Sequence, residues 1–280
     1  MSMSNRREIV QITKGVPASD GAGVKLTRII ASPELDMVDP FLLLDQFESE
    51  NPDDYIAGFP SHPHRGIETV TYMLAGRMRH VDNAGNEGVV TSGGVQWMTA
   101  GRGIVHSEMP EQEKGLMRGF QLWINLPASH KMTAPGYQEF NAETIPSETI
   151  GKGGIVRVIA GETDQGTVGP VINEWTQSLY LDITLSTDDV FQQSVPDNHN
   201  AVIYVLEGTV DVAGTAVETS QLGVFGPGLN IEISANSGDA QLLLIAGKPL
   251  DEPVVRWGPF VMNSRAEIVQ ALQDFQTGRF

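Results

Sequence analysis

The chain of 280 residues contains no cysteine. That absence excludes disulfide bonds, thiolate metal ligands and a cysteine nucleophile. It does not by itself fix the compartment in which the protein works.

Basic residues are also scarce. The chain has 18 lysines and arginines against 35 aspartates and glutamates, which gives a formal net charge of −17. No run of five or more basic residues occurs. Because binding to phosphates needs clustered lysine and arginine, the composition argues against direct binding to nucleic acid or to an anionic membrane surface.

Long apolar runs are absent as well. The longest are short, such as residues 242–246, so no segment is expected to span a membrane. Residues 1–7 are polar and lack the apolar core of a secretory signal. We therefore expect a cytoplasmic location.

Short β-rich segments make up most of the chain. Glycine (30) and proline (16) are spread along the sequence instead of being pooled in one linker. Between them lie segments rich in valine, isoleucine, threonine and aromatics, at 68–74, 119–124, 154–159, 179–185, 201–206 and 241–245. Short strands with regular turn signals predict an all-β barrel or sandwich and not βαβ units.

The pattern of residues 70–76 recurs at 202–208. Each copy is a β-rich run that ends at a glycine, and a glycine-rich stretch follows it, 93–103 in the first half and 223–228 in the second. We interpret this as a tandem duplication. The acidic, turn-rich stretch 162–173 resembles a connector, so we predict two domains, 1–160 and 161–280.

One helix is predicted near the C-terminus. Ser264 and Glu267 have the spacing of a capping box, in which each side chain satisfies an amide at the start of the helix. Ile268, Leu272 and Phe275 follow at i, i+4 and i+7 and form one apolar stripe. We expect this stripe to pack on a barrel.

Two short patterns carry the chemistry, His62-Pro63-His64 and His106-Ser107-Glu108. In a β-strand, residues i and i+2 point to the same face. If the two strands meet in a barrel, three imidazoles and one carboxylate converge on one point. Imidazole suits Fe, Cu, Ni and Zn, and the carboxylate favours harder divalent ions. A six-coordinate ion would keep two open positions, as a non-haem Fe(II) oxygenase requires.

Glu68 leaves one alternative open. It lies four residues after His64 and would share strand parity with it, so it is a candidate ligand, a candidate partner of a ligand imidazole, or a base. We favour Glu108 as the fourth ligand. The remaining histidines, His80, His130 and His199, are interpreted as structural or surface residues.

The surroundings of the two patterns fit a barrel mouth. Pro63 cannot donate to a sheet ladder, so it predicts an edge strand. Residues 101–103, Gly-Arg-Gly, predict a tight turn before His106, because a phosphate loop would need a following Lys-Ser/Thr. Five apolar residues are candidates for lining a pocket beside the metal: Trp97, Met98, Phe120, Leu122 and Trp123. Because side chains alternate along a strand, about half of them must point away from it.

The second half carries no equivalent ligand set. Aligning the two repeats puts Ser194 opposite His62, Pro196 opposite His64 and Asn200 opposite Glu68. His199 is out of register. We therefore predict that the C-terminal domain is free of metal.

Several long motifs resemble the pirin family. They are His-Pro-His-Arg-Gly-Ile-Glu-Thr-Val at 62–70, Gln-Trp-Met-Thr-Ala-Gly-Arg-Gly-Ile-Val-His-Ser-Glu-Met-Pro at 96–110, Asp-Pro-Phe-Leu-Leu-Leu-Asp at 39–45, Gln-Leu-Trp-Ile-Asn-Leu at 121–126 and Gly-Pro-Phe-Val-Met-Asn at 258–263. The resemblance runs from about residue 25 to the end of the sequence.

This resemblance implies a cupin fold with two stacked β-barrel domains and a short C-terminal helix. It implies one iron in the N-terminal barrel, held by His62, His64, His106 and Glu108, with Mn, Ni, Cu and Zn as alternatives. Some pirins are similar to quercetin 2,3-dioxygenases, which open a flavonol ring with O2. Mammalian pirin is a nuclear, iron-dependent co-regulator of transcription that binds protein partners, and other bacterial pirins are linked to regulation of metabolic enzymes.

Our leading hypothesis is an Fe(II)-dependent dioxygenase that acts on a small aromatic, flavonol-like substrate and O2. Glu108, or alternatively Glu68, would take the proton of the substrate hydroxyl. The alternative is a regulatory protein that senses iron or its redox state and presents a changed surface to a protein partner. A third interpretation is a barrel whose metal is only structural.

Overall fold

A computed structural model describes residues 5–280; residues 1–4, which belong to the polar N-terminal stretch, lie outside the described range. Twelve strands precede residue 142 in the described chain. They are β1 (Ile9–Lys14), β2 (Val16–Asp20), β3 (Val24–Ile30), β4 (Phe41–Ser49), β5 (Phe59–His64), β6 (Ile67–Ala75), β7 (Arg77–Asp82), β8 (Glu87–Thr91), β9 (Val95–Thr99), β10 (Ile104–Pro110), β11 (Met117–Asn125) and β12 (Gly136–Phe140).

The second part of the chain adds twelve more strands and the helix. They are β13 (Ser147–Ile150), β14 (Gly154–Ala160), β15 (Leu179–Leu185), β16 (Val190–Ser194), β17 (Asn200–Glu207), β18 (Thr209–Val212), β19 (Thr215–Glu218), β20 (Gln221–Phe225), β21 (Asn230–Ser234), β22 (Ala240–Gly247), β23 (Val255–Trp257), β24 (Phe260–Met262) and α1 (Arg265–Gln276). Short 3-10 turns span Pro52–Asp54, Ala128–His130 and Ala142–Thr144.

The strands form two compact units. The first, which we call unit 1, contains the described residues up to 15 together with 33–39 and 143–249. Its seven-stranded sheet has the order β1-β20-β17-β22-β15-β14-β13, and its four-stranded sheet has the order β16-β21-β18-β19. Buried aliphatic side chains from both sheets form one continuous core, so the two sheets pack face to face.

The second compact unit, unit 2, contains residues 16–32, 40–142 and 250–280. Its seven-stranded sheet has the order β12-β9-β6-β11-β4-β3-β2, and its four-stranded sheet has the order β5-β10-β7-β8. One of its cores joins residues of both sheets, including Leu26, Phe47 and Met73 from the larger sheet and Met78 and Val90 from the smaller. The hairpin β23–β24 and helix α1 complete it.

The predicted duplication is confirmed by the strand orders. β6 and β17, which carry the repeated sequence pattern, are each third in a seven-stranded sheet, and their neighbours correspond (β9 and β11, β20 and β22). The all-β class, with two barrel domains and one short C-terminal helix, is also confirmed.

The compact units divide the chain differently from the predicted linear boundary between residues 160 and 161. β1 pairs with β20 and so belongs to unit 1, whereas residues 250–280 belong to unit 2. The reason is that backbone pairing, which the order of residues along the chain does not reveal, assigns a strand to its sheet.

Helix α1 begins as predicted, and its buried face coincides in part with the predicted stripe. The Glu267 amide donates to Ser264 Oγ at 3.3 Å, while the Glu267 carboxylate accepts from Ser264 Oγ and from the Asn263 amide. Ile268 is buried and Leu272 is partly buried against the same apolar cluster, as predicted, whereas Phe275 is exposed. Ala271 and Asp274 are also buried, which the apolar stripe did not predict. Asp274 takes an inward position because it binds a buried arginine.

No helix among residues 5–280 is long and apolar enough to cross a membrane. The cytoplasmic location stays a prediction.

Candidate metal centre

Two adjacent strands of the four-stranded sheet of unit 2 carry the histidines. β5 and β10 pair in antiparallel orientation, with His62 directly opposite His106 and Pro63 opposite Val105. β5 is an edge strand, as Pro63 predicts. Burial alternates along β10, and His106 and Glu108 both face inward. The register shifts between these two residues, so β10 is irregular at the site.

The structure brings His62, His64 and His106 together. Their candidate ligand nitrogens lie within 4.8 Å of one another. The ring centroids of His62 and His106 are 4.4 Å apart, and those of His64 and His106 are 5.1 Å apart. The Nε2 atoms of His62 and His64 are separated by 3.0 Å.

The hydrogen bonds direct lone pairs into this cluster. His62 Nδ1 lies 2.9 Å from the Pro60 carbonyl oxygen, which only accepts, so Nδ1 holds the proton and Nε2 is a lone pair. His106 Nε2 is buried without a hydrogen-bond partner among the described residues. Convergent imidazole lone pairs in a site without thiolates are a donor set that fits a divalent transition metal.

Burial keeps the imidazoles of His64 and His106 neutral. It lowers the pKa of His64 to about 3, assisted by the neighbouring His62 and opposed by the Pro259 carbonyl. The pKa of His106 is lowered well below its usual value, first by burial and then by the imidazoles around it. Neutral imidazole is the form that binds metal, so at physiological pH no proton has to leave these two rings.

Glu108 lies beside the three histidines but is not one of the 4.8 Å group. Its Oε1 accepts a hydrogen bond from Thr71 Oγ1 at 2.5 Å and another from Gln96 Nε2 at 3.3 Å. The side chain is almost completely buried. The structure therefore holds this carboxylate by one oxygen, next to the imidazoles.

Glu68 is placed elsewhere. The strand-parity argument for it is wrong, because β5 ends at His64 and Glu68 lies on β6, in the other sheet. Its Oε1 accepts from Thr99 Oγ1 at 2.7 Å, across the β6–β9 pair. Glu68 is buried and does not line the pocket beside the histidines.

A pocket of about 660 Å3 opens beside the cluster, and His62, His64 and Glu108 form part of its wall. Most of the remaining wall is apolar and comes from several strands: Leu26, Leu42, Leu43, Phe47, Phe59, Pro60, Trp123 and Pro259. Such a volume and lining suit a small, largely apolar molecule.

Charged groups form another part of the same wall. Arg28 binds the buried Asp45 with two nitrogens, at 3.0 and 2.7 Å, and its Nη2 also reaches Asp20 at 2.9 Å. Burial raises the pKa of Asp45, although Arg28 opposes that shift. Gln121 and Arg256 add further polar groups to the pocket.

Of the five predicted lining residues, only Trp123 lines this pocket. Its ring meets His64 edge-on, with centroids 5.0 Å apart. Trp97, Met98, Phe120 and Leu122 are buried and do not line it. Side chains alternate along a strand, so some of the five had to point away from the pocket. The sequence does not show which face of each strand is turned toward the pocket, so it could not predict which ones.

The connection between β5 and β6 is held by two buried cations that the sequence interpretation missed. Arg65 Nη1 binds Asp274 at 2.8 Å, and its guanidinium lies over the Phe280 ring, 4.3 Å from the centroid. Lys131 Nζ donates to Gly66 O at 2.9 Å and to Asn125 Oδ1 at 2.7 Å, among other acceptors. Both residues are almost completely buried, so they fix the backbone that follows His64.

His80 was also missed. The interpretation of this residue as structural or surface gave it no role at the site, yet it is fully buried and its Nδ1 lies 3.3 Å from His106 Nδ1. The only sequence signal was its i, i+2 spacing from Asp82, shortly after the repeated segment 70–76.

The corresponding region of unit 1 is packed with apolar side chains. Phe191 and Val195 on one side and Ile231 and Ile233 on the other are buried in its core. The metal-free character of this unit stays a prediction.

The duplicated pairing of a seven-stranded with a four-stranded sheet, and a histidine cluster on two strands of one copy, define a two-domain cupin. Family models match both halves, Pirin at residues 23–124 and the Pirin C-terminal cupin domain at 180–280. The chain belongs to the pirin family.

Known relatives cover nearly the whole chain. A pirin-like protein of Caulobacter vibrioides is 54% identical over 275 residues, covering 98% of this chain and 99% of the relative. Mouse pirin is 42% identical over 284 residues, covering 99% and 95%. The crystal structure of a quercetin 2,3-dioxygenase from Acinetobacter baumannii has a TM-score of 0.90 and 34% identity, covering 98% of both chains.

Proposed function

We propose that the protein is a metal-dependent dioxygenase that opens the ring of a flavonol such as quercetin with O2. The observation that carries this proposal is the cluster of three imidazoles at the wall of a largely apolar pocket of about 660 Å3. The similarity to a quercetin 2,3-dioxygenase of known structure supports it.

We assign the metal to His62, His64, His106 and Glu108, with Fe(II) as the expected ion. The described hydrogen bonds of Glu108 engage Oε1, so Oε2 is the oxygen that we assign to the metal or to a proton. When bound, the ion supplies Lewis acidity toward an oxygen ligand and electron exchange with O2.

Glu108 is the group that we assign to proton transfer. Thr71 and Gln96 hold its carboxylate at the pocket wall, where a substrate hydroxyl would lie within reach. We assign Glu68 no contact with substrate, because its carboxylate is bound by Thr99 and lies outside the pocket wall.

The pocket wall suits a flat molecule with polar ends. Leu42, Phe47 and Trp123 offer apolar surface to aromatic rings. Arg28 and Gln121 offer hydrogen-bonding groups to ring hydroxyls.

The proposal is tested by loading the purified protein with Fe(II) under anaerobic conditions and measuring oxygen uptake on a panel of flavonols. One O2 consumed per flavonol should yield one carbon monoxide and one depside, which conserves all atoms. Quercetin-dependent uptake is the expected result.

Two variants separate binding from chemistry. His106→Ala should lose both metal and turnover, whereas Glu108→Gln should lower turnover more than it lowers metal content. His130→Ala, at an exposed residue outside the site, is the matched control. Fully metallated protein without flavonol-dependent oxygen uptake would contradict the enzymatic proposal for this substrate class, and the iron-sensing regulatory alternative would replace it.

A further inference from the structure

His80 lies directly behind the histidine cluster, on β7. Its side chain is fully buried and stacks on the ring of Tyr137, with centroids 4.7 Å apart and an interplanar angle of 26°. Both ring nitrogens have partners. Nε2 lies 3.1 Å from Asp82 Oδ2, and Nδ1 lies 3.3 Å from His106 Nδ1.

The Asp82 carboxylate determines where His80 carries its proton. Its Oδ1 accepts from the Ala84 and Asn86 amides, each at 2.9 Å, and its Oδ2 accepts from Asn86 Nδ2 at 2.9 Å. A carboxylate held by that many donors offers only lone pairs to the imidazole. His80 Nε2 therefore holds a proton and donates it to Asp82.

Gln96 determines the other nitrogen independently. Its Nε2 lies 3.1 Å from His80 Nδ1 and 3.3 Å from Glu108 Oε1. An amide NH2 has two protons, and here it has two acceptors, so this orientation satisfies both. His80 Nδ1 is therefore a lone pair, and the ring is neutral.

One consequence reaches the metal cluster. With a lone pair on His80 Nδ1, the 3.3 Å contact is a hydrogen bond only if His106 Nδ1 holds the proton and donates it. His106 Nε2 is then the free lone pair, and it is the buried nitrogen without a hydrogen-bond partner in the described chain. The lone pair of His80 Nδ1 is shared between two donors, Gln96 Nε2 and His106 Nδ1. This sharing is consistent with the 3.3 Å length of the contact with His106.

We propose that His80 is a positioning residue, which accepts the Nδ1 proton of His106 and so fixes the tautomer and ring plane that aim His106 Nε2 into the cluster. Through Gln96 the same nitrogen is linked to the Glu108 carboxylate. This inference rests on the proposed metal site. It assigns His80 and Asp82, which are not proposed ligands, the role of orienting the ligand His106. Hydrogen bonds from the far nitrogen of a ligand imidazole raise its basicity and hold its orientation.

The competing explanation is that His80 only fills space beside Tyr137. The two explanations differ in what a ring without nitrogen would do. His80→Phe keeps an aromatic ring for the stack but removes the acceptor, whereas His80→Gln restores one acceptor oxygen toward His106.

The first test uses the unaltered apo protein. Long-range proton–nitrogen correlation NMR of 15N-histidine-labelled protein distinguishes the tautomers of each ring. We expect the Nε2–H tautomer for His80 and the Nδ1–H tautomer for His106. Finding the proton on His80 Nδ1, or on His106 Nε2, would overturn the inference whether or not any variant folds.

The second test measures Co(II) binding by competition with a chelator, together with the visible absorption bands of the bound ion. His80→Phe should weaken binding by about 10- to 100-fold and shift the bands, since loss of such a partner has effects of that size. His80→Gln should recover part of the affinity. His199→Gln, at a buried histidine of unit 1, is the control and should behave as the unaltered protein does.

The outcomes separate this inference from the proposed function. If the unaltered protein fails to bind Co(II) or Fe(II), the metal-dependent function fails, and the NMR result still decides the hydrogen-bond direction. If it binds metal and a folded His80→Phe protein shows the same affinity and the same bands, His80 serves only in packing and the inference is overturned.

Discussion

At the scale of single residues, burial makes the protonation of the site histidines a source of pH-dependent stability. The pKa of His64 is lowered to about 3 by burial and by His62, and burial also lowers that of His106. In the unfolded chain both would bind a proton near pH 6.5. Between these values the unfolded state binds more protons than the folded state, so the folded state loses stability as the pH falls.

We therefore expect these two histidines to leave the stability of the apo protein unchanged at pH values well above 6.5. Between pH 6.5 and pH 5 they should lower its free energy of unfolding. Each such histidine contributes up to about 1.4 kcal/mol per pH unit in that window. Urea unfolding at a series of pH values measures the slope.

The variant His64→Gln removes one of these groups and should make the slope between pH 6.5 and 5 shallower. His130→Gln, at an exposed position, should leave it unchanged. Equal slopes for the unaltered protein and His64→Gln would show that His64 does not resist protonation in the folded state.

The sequence could predict His62, His64 and His106 because two i, i+2 spacings are visible in one dimension. The strand β10 pairs with β5 as required, which places His62 opposite His106. His80 could not be predicted in this way. Its relation to His106 arises from the β7–β10 pairing, and a single histidine has no spacing that reveals its partners.

At the scale of elements, the connection from β5 to β6 is the part of the fold that orients β5, the strand of His62 and His64. Gly66 lies in it with φ +81°, and its amide donates to the Gly101 carbonyl at 2.8 Å. A Cβ at this position would overlap the Val261 carbonyl oxygen. The site therefore depends on close backbone packing that only glycine permits.

Gly66→Ala should be destabilising for two separate reasons, the positive φ and the overlap with Val261. Gly85 has a similar φ of +92°, but a Cβ there would meet nothing within 4 Å. Gly85→Ala should cost about 1 kcal/mol for the backbone conformation alone. Gly66→Ala should cost roughly 2 kcal/mol more because of crowding.

Denaturant unfolding of the two variants isolates the crowding term, since the backbone contribution is common to both. Equal losses of unfolding free energy would show that the Val261 segment moves away without cost. A larger loss for Gly66→Ala should be accompanied by weaker Co(II) binding, because the residue follows the proposed ligand His64 by two positions.

Helix α1 shows which features of a helix local sequence patterns can predict. Ser264 and Glu267 specify where it begins, because capping is a local interaction, and the prediction is correct there. The buried face was predicted from Ile268, Leu272 and Phe275, but Asp274 points inward to Arg65. A periodicity argument counts apolar residues only, so it cannot anticipate a buried ion pair with a residue 209 positions away.

At the scale of the whole molecule, one β unit occurs twice with different interiors. Both seven-stranded sheets have corresponding strand orders. The repeated motif at 70–76 and 202–208 predicted the duplication. The lack of histidines at positions 194 and 196, opposite His62 and His64, predicted that the two interiors differ. The discontinuous composition of the units could not be predicted, because β1 joins unit 1 and residues 250–280 join unit 2 through contacts distant in sequence.

If metal binds only at the histidine cluster, its stabilising effect should be confined to unit 2. Binding to the folded state adds stability of about 2.7 kcal/mol at a free metal concentration 100 times the dissociation constant. Hydrogen exchange of apo and Co(II)-loaded protein, followed by mass spectrometry, should show slower exchange in β5 and β10. The corresponding strands of unit 1, β16 and β21, should exchange at unchanged rates, because the core between them is apolar.

The variant His106→Ala provides the control, since added metal should then slow exchange in neither unit. Equal protection of β16 and β21 in the unaltered protein would contradict the expectation. It would mean either that unit 1 binds metal through its own residues or that the two units unfold in one cooperative step. If unit 1 binds metal itself, added metal should still protect unit 1 in His106→Ala. If the two units unfold in one cooperative step, His106→Ala should lose the metal-induced protection in both units.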